Sequence, residues 1–292
     1  MAVNDKKNPV AVTLTYLIVS LMTFVFVFPF YVVIVSAFTD PIHILRGFPL
    51  FWPSAISLEN FETIFHSPVL WRAAFLSVTR TILGTILTVT CCALTAYALS
   101  RQGLPGKKFF NRLFLITMFF SGGLIPMYIM IRAYGLINNF LVFLLPGMIN
   151  VFYVLIIKSY YAGLPQSVED SAIIDGCNDI QVFFKMIVPM SLPVLAAIGV
   201  YTSVGHWNSW WDNYIYANKD SLLTLQLLLV RLVRNADATS LMAGSDFADV
   251  TQTSPFGVRM ATTVLVTTPI LIAYPALQKY FITGITIGAV KG

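Results

Sequence analysis

The side chains of this 292-residue sequence that could do chemistry fall into three groups. The first is a set of polar residues lodged in long apolar runs: Arg80, Asn150 and Arg259. A charged side chain inside such a run costs at least ~2.5 kcal/mol to place in a bilayer, so it faces the protein interior, water or the interface. Arg80 has two readings, snorkelling to the outer headgroups or lining a solute path. Arg259, at the start of its run, reads as an interfacial anchor. Together the two arginines fit a path that attracts an anionic solute. Asn150 reads either as a helix–helix hydrogen bond or as a group on that path. The second group is His206-Trp207-Asn208-Ser-Trp210-Trp211. Flat rings cover the apolar faces of sugars while Asn and His bind hydroxyls. Trp210 and Trp211 equally fit an aromatic belt at a membrane surface.

The third group is the polar stretch 165–189, which carries Glu169, Asp170, Asp175 and Asp179 between apolar runs. Ser167 with Asp170 has the spacing of a capping box, and Asn178 with Gln181 repeats it. Asp175-Gly176 lies between, where a glycine can take positive φ and end the first helix. The expectation is a helix–turn–helix elbow whose first arm is acidic and small, with Ser171 and Ala172. It is either an ordinary connection with good caps or a docking surface.

Enzymatic chemistry is missing. There is no Gly-x-x-x-x-Gly-Lys-[Ser/Thr] phosphate loop; Gly103-Leu-Pro-Gly-Lys-Lys108 matches it in composition only. There is no His-Glu-x-x-His, no Gly-x-Ser-x-Gly, and no carboxylate pair within an apolar run. His43, His66 and His206 are far apart, and Cys91, Cys92 and Cys177 lack metal or disulfide spacing. The reading is a non-enzyme with no cofactor and no metal of its own.

The elements that must position these residues follow from composition. The chain is 57% hydrophobic and 11% charged, with a mean hydropathy of +0.78, against roughly 25% charged in soluble domains. Several runs exceed the ~18 apolar residues of a spanning helix. In lipid the backbone must satisfy itself, so the class is all-α and polytopic, a single membrane domain over 1–292. Six spans are expected, at about 12–38, 73–99, 109–131, 138–160, 184–206 and 257–281, with a break at Ser121–Pro126. The elbow 165–189 joins the fourth and fifth, and a long outer loop runs over 208–255. Lys6 and Lys7 precede a run too long for a cleavable signal.

An even number of spans puts both termini and the elbow on one side. That side holds Lys6, Lys7, Arg101, Lys107, Lys108, Arg112, Lys158, Lys185, Lys279 and Lys291; the other holds Arg46, Arg72, Arg132, Lys219, Arg231 and Arg234. The excess marks the first side as cytoplasmic. The net charge of +5 therefore needs no nucleic acid to explain it.

With these residues laid out, the chain resembles the second, smaller permease of maltose-type ABC carbohydrate importers. The family's cytoplasmic signature is Glu-Ala-Ala-x-x-x-Gly, then a spacer and Ile-x-Leu-Pro. Here it reads Asp170-Ser171-Ala172-Ile-Ile-Asp175-Gly176, nine residues, and Met186-Ile-Val188-Pro189. Ala96-Tyr-Ala-Leu-Ser-Arg101, His206-Trp-Asn208 and the tail Gln278-Lys-Tyr-Phe281 to Gly288–Gly292 are also similar. Met118-Phe-Phe-Ser-Gly-Gly-Leu-Ile-Pro126 resembles the subgroup for large oligo- or polysaccharides, including pectin- and alginate-type acidic ones. The resemblance implies that Glu169, Asp170, Ser171, Ala172, Asp175 and Gly176 form a coupling helix seated in a cytoplasmic ATPase. It implies a heterodimer with a second permease, two ATPases that hold the ATP and Mg²⁺, and an extracytoplasmic sugar-binding protein. The loop with Ser240, Gly244 and Asp246 would enter that protein's cleft. The chain would sit in the cytoplasmic (inner) membrane. The rival reading is an ion-gradient-driven sugar transporter, which requires paired acids near the midplane; the expected spans hold none. A third is a structural membrane subunit.

Overall fold

The computed structural model describes residues 9–46, 51–101, 103–234 and 255–289. The chain is mostly helical. Among the described residues there is no strand, only an isolated antiparallel bridge between Thr39 and Ile56. In order the helices are α1 (Pro9–Ala37), α2 (Pro41–Arg46), α3 (Glu59–Phe65), α4 (Pro68–Ser100), α5 (Lys107–Phe119), α6 (Leu124–Ala133), α7 (Val151–Tyr161), α8 (Gln166–Ile174), α9 (Asp179–Val182), α10 (Val188–Met190), α11 (Leu192–Asn208), α12 (Trp211–Tyr216), α13 (Leu225–Arg234) and α14 (Pro255–Ala289).

Three of these, α1, α4 and α14, are long and apolar enough to cross a membrane. Two bent pairs raise this to five: α5 with α6, at 116°, and the helix from Asp179 to Met190 with α11, at 82°. The first bend falls where Ser121-Gly122-Gly123 predicts a break; Gly123 has φ 84°, which an L side chain resists. The second falls at Ser191, between Pro189 and Pro193, whose missing N–H groups interrupt the helical ladder. Just before it a π-helical turn runs over Phe183–Ile187. The stretch expected as a span over 138–160 has a 3-10 turn over Phe140–Phe143 and is α-helical only from Val151. Pro146-Gly147 stops a helix from forming upstream, and the Asn150 side chain caps the new start by accepting from the amides of Phe152 and Tyr153.

Two compact units divide the chain, one of residues 1–70 and 231–268, the other of 71–230 and 269–292. In the first unit α1 is covered by exposed apolar side chains. Beyond it a buried amide ties the chain to the end of α1. Asn60 Nδ2 donates to the carbonyls of Ala37 (3.1 Å) and Thr39 (2.8 Å). Gly257 packs on the same amide; a Cβ there would lie 2.3 Å from Asn60 Oδ1. Asn60→Ala leaves two carbonyls unpaired, and its expected cost is about 2–3 kcal/mol. A lowered Tm in detergent checks this; an unchanged Tm would show that the carbonyls find other donors.

In the second unit α4 presents Cys92, Ala93 and Ala96, small enough for α7 (Val154, Ile157) and α11 (Leu195, Ile198) to pack closely on it. Ala172 of α8 and Val182 and Phe183 join this core, so the elbow is seated on the helices, not hung from them. A second cluster gathers Leu76, Ile131, Val142, Phe143, Tyr216 and Leu222. Beside it the buried Asn213 uses its whole amide. Its Nδ2 donates to the carbonyls of Ala217 (3.2 Å) and Leu222 (2.9 Å), and its Oδ1 accepts from the amide and hydroxyl of Thr224 (2.9 and 3.0 Å). That closes the segment after α11 into a fixed loop.

Candidate functional site

The elbow is built from α8 and α9. Gly176 between them has φ 81°, as the sequence predicts. Asn178 and Gln181 form a reciprocal capping box at the start of α9. The cap expected at Ser167 is not formed. Pro165 occupies the N-cap position and α8 begins at Gln166, so Ser167 lies inside the first turn, where Ser171 Oγ donates to its carbonyl. The reason is that Pro165 fixes its own φ at −63° and so starts the helix earlier.

What holds the two arms is Arg101, at the end of α4. Its guanidinium pairs with Glu169 of α8, and its Nη2 donates to Asp179 Oδ1 of α9 at 2.8 Å. The guanidinium also lies 5.3 Å from the Tyr97 ring centroid, and Tyr97 Oη donates to Glu169. One planar fork thus ties one acid from each arm to the end of a long helix. Asp170, Ser171, Asp175 and Gly176 are left exposed, with Ile173, Ile174 and Ile180 exposed beside them. Glu169 is half-buried against Arg101 and Ala172 is buried beneath the arm.

A second site lies around Arg80, which is 2% exposed. Its Nη2 pairs with Asp212, its Nη1 donates to the Ser209 carbonyl at 3.1 Å, and its guanidinium lies 4.7 Å from the Phe143 ring centroid. Arg80 therefore neither snorkels nor stands as a lone cation. Asp212 is set in place by Ser209 Oγ and the Asn213 amide, each donating to its Oδ1 at 2.8 Å. His206 packs on α4 at Gly84, where a Cβ would lie 2.5 Å from its Nε2. Arg80, Phe143, His206, Ser209 and Asp212 border an open cavity of about 320 Å³ that Asn150 also lines.

A relative, the polygalacturonan/rhamnogalacturonan transport system permease protein YtcP of Bacillus subtilis, is 33% identical to the chain over 291 residues, spanning 98% of this chain and all of that one. The chain belongs to the sugar permeases of ABC transport systems. The permease is also similar to the arabinooligosaccharides transport system permease protein AraQ of Halalkalibacterium halodurans, at 28% identity over 98% of its length and 99% of the relative's. Its fold matches that of a chain from a bacterial ABC transporter involved in the import of the acidic polysaccharide alginate. The TM-score is 0.88 at 22% identity, covering 94% of the permease and 98% of that chain. No protein-family model matches it.

Of the residues the sequence singles out in the permease, Arg80, Asn150 and His206 share the cavity; Trp207 and Asn208 follow on α11 and do not border it. Asn150 acts on its own helix as the cap, while its backbone amide meets Cys92 Sγ at 3.3 Å. Trp210, Trp211 and Tyr214 form a cluster of rings with centroids 5.5 to 6.2 Å apart. Arg259 is half-buried near the start of α14, in the first unit. Ser240, Gly244 and Asp246 lie outside the described residues. Sequence reasoning missed Asp212, Arg101 and Gly84. The first had a usable signal, since a buried arginine demands an acid.

Proposed function

We propose that this permease is one half of a heterodimer, with a second, similar permease, that imports oligo- or polysaccharide into the cytoplasm. Acidic, uronate- or alginate-type chains are its candidate substrates, by the substrates for which its relative and its structural neighbour are named. In this reading the chain crosses the inner membrane six times with both termini cytoplasmic, α7 forming the helical part of the fourth span. The elbow 165–189 is the coupling helix. Two cytoplasmic ATPases bind ATP and Mg²⁺, the chain itself holding no cofactor, and an extracytoplasmic binding protein delivers the sugar to the outer loop 208–255, around Ser240, Gly244 and Asp246.

The observation that carries this is the elbow's division of labour. Glu169, Ala172 and Asp179 face or tie inward, while Asp170, Asp175 and the isoleucines remain exposed. An apolar tip ringed by acids suits a groove with basic walls, and its internal ties let it move as a unit. Arg80, Asn150 and His206 line the path within this chain, and Trp207, Asn208 and Arg259 extend it in the proposal.

In proteoliposomes holding the purified complex, Asp170→Lys is expected to cut ATP-driven uptake at least tenfold while the complex still inserts and hydrolyses ATP. Undiminished uptake would remove the coupling role. Uptake on an ion gradient without ATP would favour the secondary-transporter reading instead.

A further inference from the structure

The second arm of the elbow does not stop at α9. It runs on through the π-helical turn of Phe183–Ile187 and through α10 to Met190, then bends by 82° at Ser191 into α11. The far end of α11 borders the cleft beside Arg80 with Thr202, Gly205 and His206. A pull on the elbow that reaches the cleft along the chain therefore passes through this joint. The residues around it loosen the helical ladder. Pro189 has no N–H, and its ring crowds the carbonyl four residues back, at Lys185, which lies in the π-helical turn. The wider turn gives that ring room. Pro193 removes a second donor just past the bend.

A side chain from another helix ties the bend. Met190 is the last residue of its helix, so its carbonyl has no place in that helix's ladder. Tyr160 Oη of α7 donates to it at 3.1 Å. α7 is a firm post, because the fully buried Val154 and Ile157 pack it into the same core as α4 and α11. The joint has little else to hold its angle. The Ser191 amide is shared between the carbonyls of Ile187 (3.0 Å) and Val188 (3.1 Å). The buried Ser191 hydroxyl makes no hydrogen bond among the described residues. On α11 the Thr202 hydroxyl donates one turn back to the Ile198 carbonyl at 2.7 Å, a bond that Ser191 does not make. Leaving a buried hydroxyl unpaired is costly, so the bend does not hold itself cheaply.

We infer that Tyr160 is a positioning residue for transport: its hydroxyl, bonded to the Met190 carbonyl, stiffens the Ser191 joint so that the elbow's second arm, α7 and α11 move as one body. Without that bond a pull on the elbow is spent as slack at Ser191 and does not reach the cleft. Tyr160 does not border the cleft, so it acts on the movement and not on the sugar. The inference rests on the reading of the elbow as a coupling helix and adds the residue that carries its motion into the spans.

The test compares Tyr160→Phe, which keeps the ring and loses only the hydroxyl, with the unaltered chain in the whole complex in proteoliposomes. Spin labels carried by introduced non-natural residues at Lys185 and Tyr201, both exposed, report the distance across the joint. The width of that distance distribution is expected to at least double in Tyr160→Phe. Trigalacturonate taken up per ATP hydrolysed is expected to fall about fivefold, the worth of one net hydrogen bond, while KM for the sugar and the Tm of the complex stay as they were. Equal widths in the two complexes would overturn the inference. So would a wider distribution with uptake per ATP unchanged, since the joint would then not carry the pull. An equal fall in uptake and in ATP hydrolysis, with a lowered Tm, would show a packing role and overturn it too. Uptake by the unaltered complex that needs no ATP would sink the coupling reading itself, and the distance widths decide the latch separately.

Discussion

Asp212→Asn is expected to destabilise the second unit by about 2–4 kcal/mol and to lower the Tm of the purified chain in detergent by several degrees. The side chain keeps its shape and one acceptor oxygen but loses its charge, which leaves the guanidinium of Arg80 buried and uncompensated. Removing one member of a buried pair costs ~3–5 kcal/mol; the 27% exposure of Asp212 lets water recover part of that. The amide is further hindered because Oδ1 already accepts from Ser209 Oγ and the Asn213 amide. An NH₂ group at either position of the carboxylate would face either those donors or Arg80 itself. The pair is separable from the fold by a cycle. Arg80→Met with Asp212→Asn is expected to recover most of the loss, since an apolar replacement of a buried ion pair is often close to neutral. Strict additivity of the two changes would show that the residues do not interact.

The second large effect is expected from Arg101→Ala. Its guanidinium makes charge-assisted bonds to one acid on each arm of the elbow. Such bonds contribute ~1.5–3 kcal/mol where shielded and near ~0–1 where exposed. Asp179 is 74% exposed and Glu169 only 21%, so most of the hold is on the first arm. A loss of about 2 kcal/mol changes the ratio of clamped to free elbow roughly 30-fold. Under the proposed function, uptake falls at least tenfold while ATP hydrolysis stays within about twofold and the amount of chain in the membrane is unchanged. Arg101→Lys is expected to fall between, because a point charge cannot fork to two carboxylates. Coupled transport at the wild-type rate in Arg101→Ala would show that the clamp is idle.

The features legible in the sequence were the local ones. Gly176 and the Asn178–Gln181 box could be read because each depends on residues within a few positions of it. The bend at Ser121–Gly123 could be read because glycine there has a backbone reason. The helical class and the long runs followed from composition. The 138–160 run, expected as one span, is not one continuous α-helix, since a window average passes over Pro146 and Gly147, of which one lacks an N–H and the other a side chain. The cap at Ser167 was misjudged because a proline two residues earlier started the helix first. Arg80 was recognised as costly, but its remedy lies 132 residues away in sequence at Asp212. No window spans that distance. Arg101 likewise read as a basic loop marker, because both its acids belong to another element.

The unequal exposure of the two acids on Arg101 gives the elbow a fixed leaf and an adjustable one. At physiological ionic strength charges in open water are screened beyond ~8 Å, whereas a shielded pair is screened far less. The Glu169 leaf therefore keeps its tension across the salt range of a living cell. The Asp179 leaf slackens as salt rises, and with it the angle about Gly176. The stiffness of this joint is set partly by the solution around it.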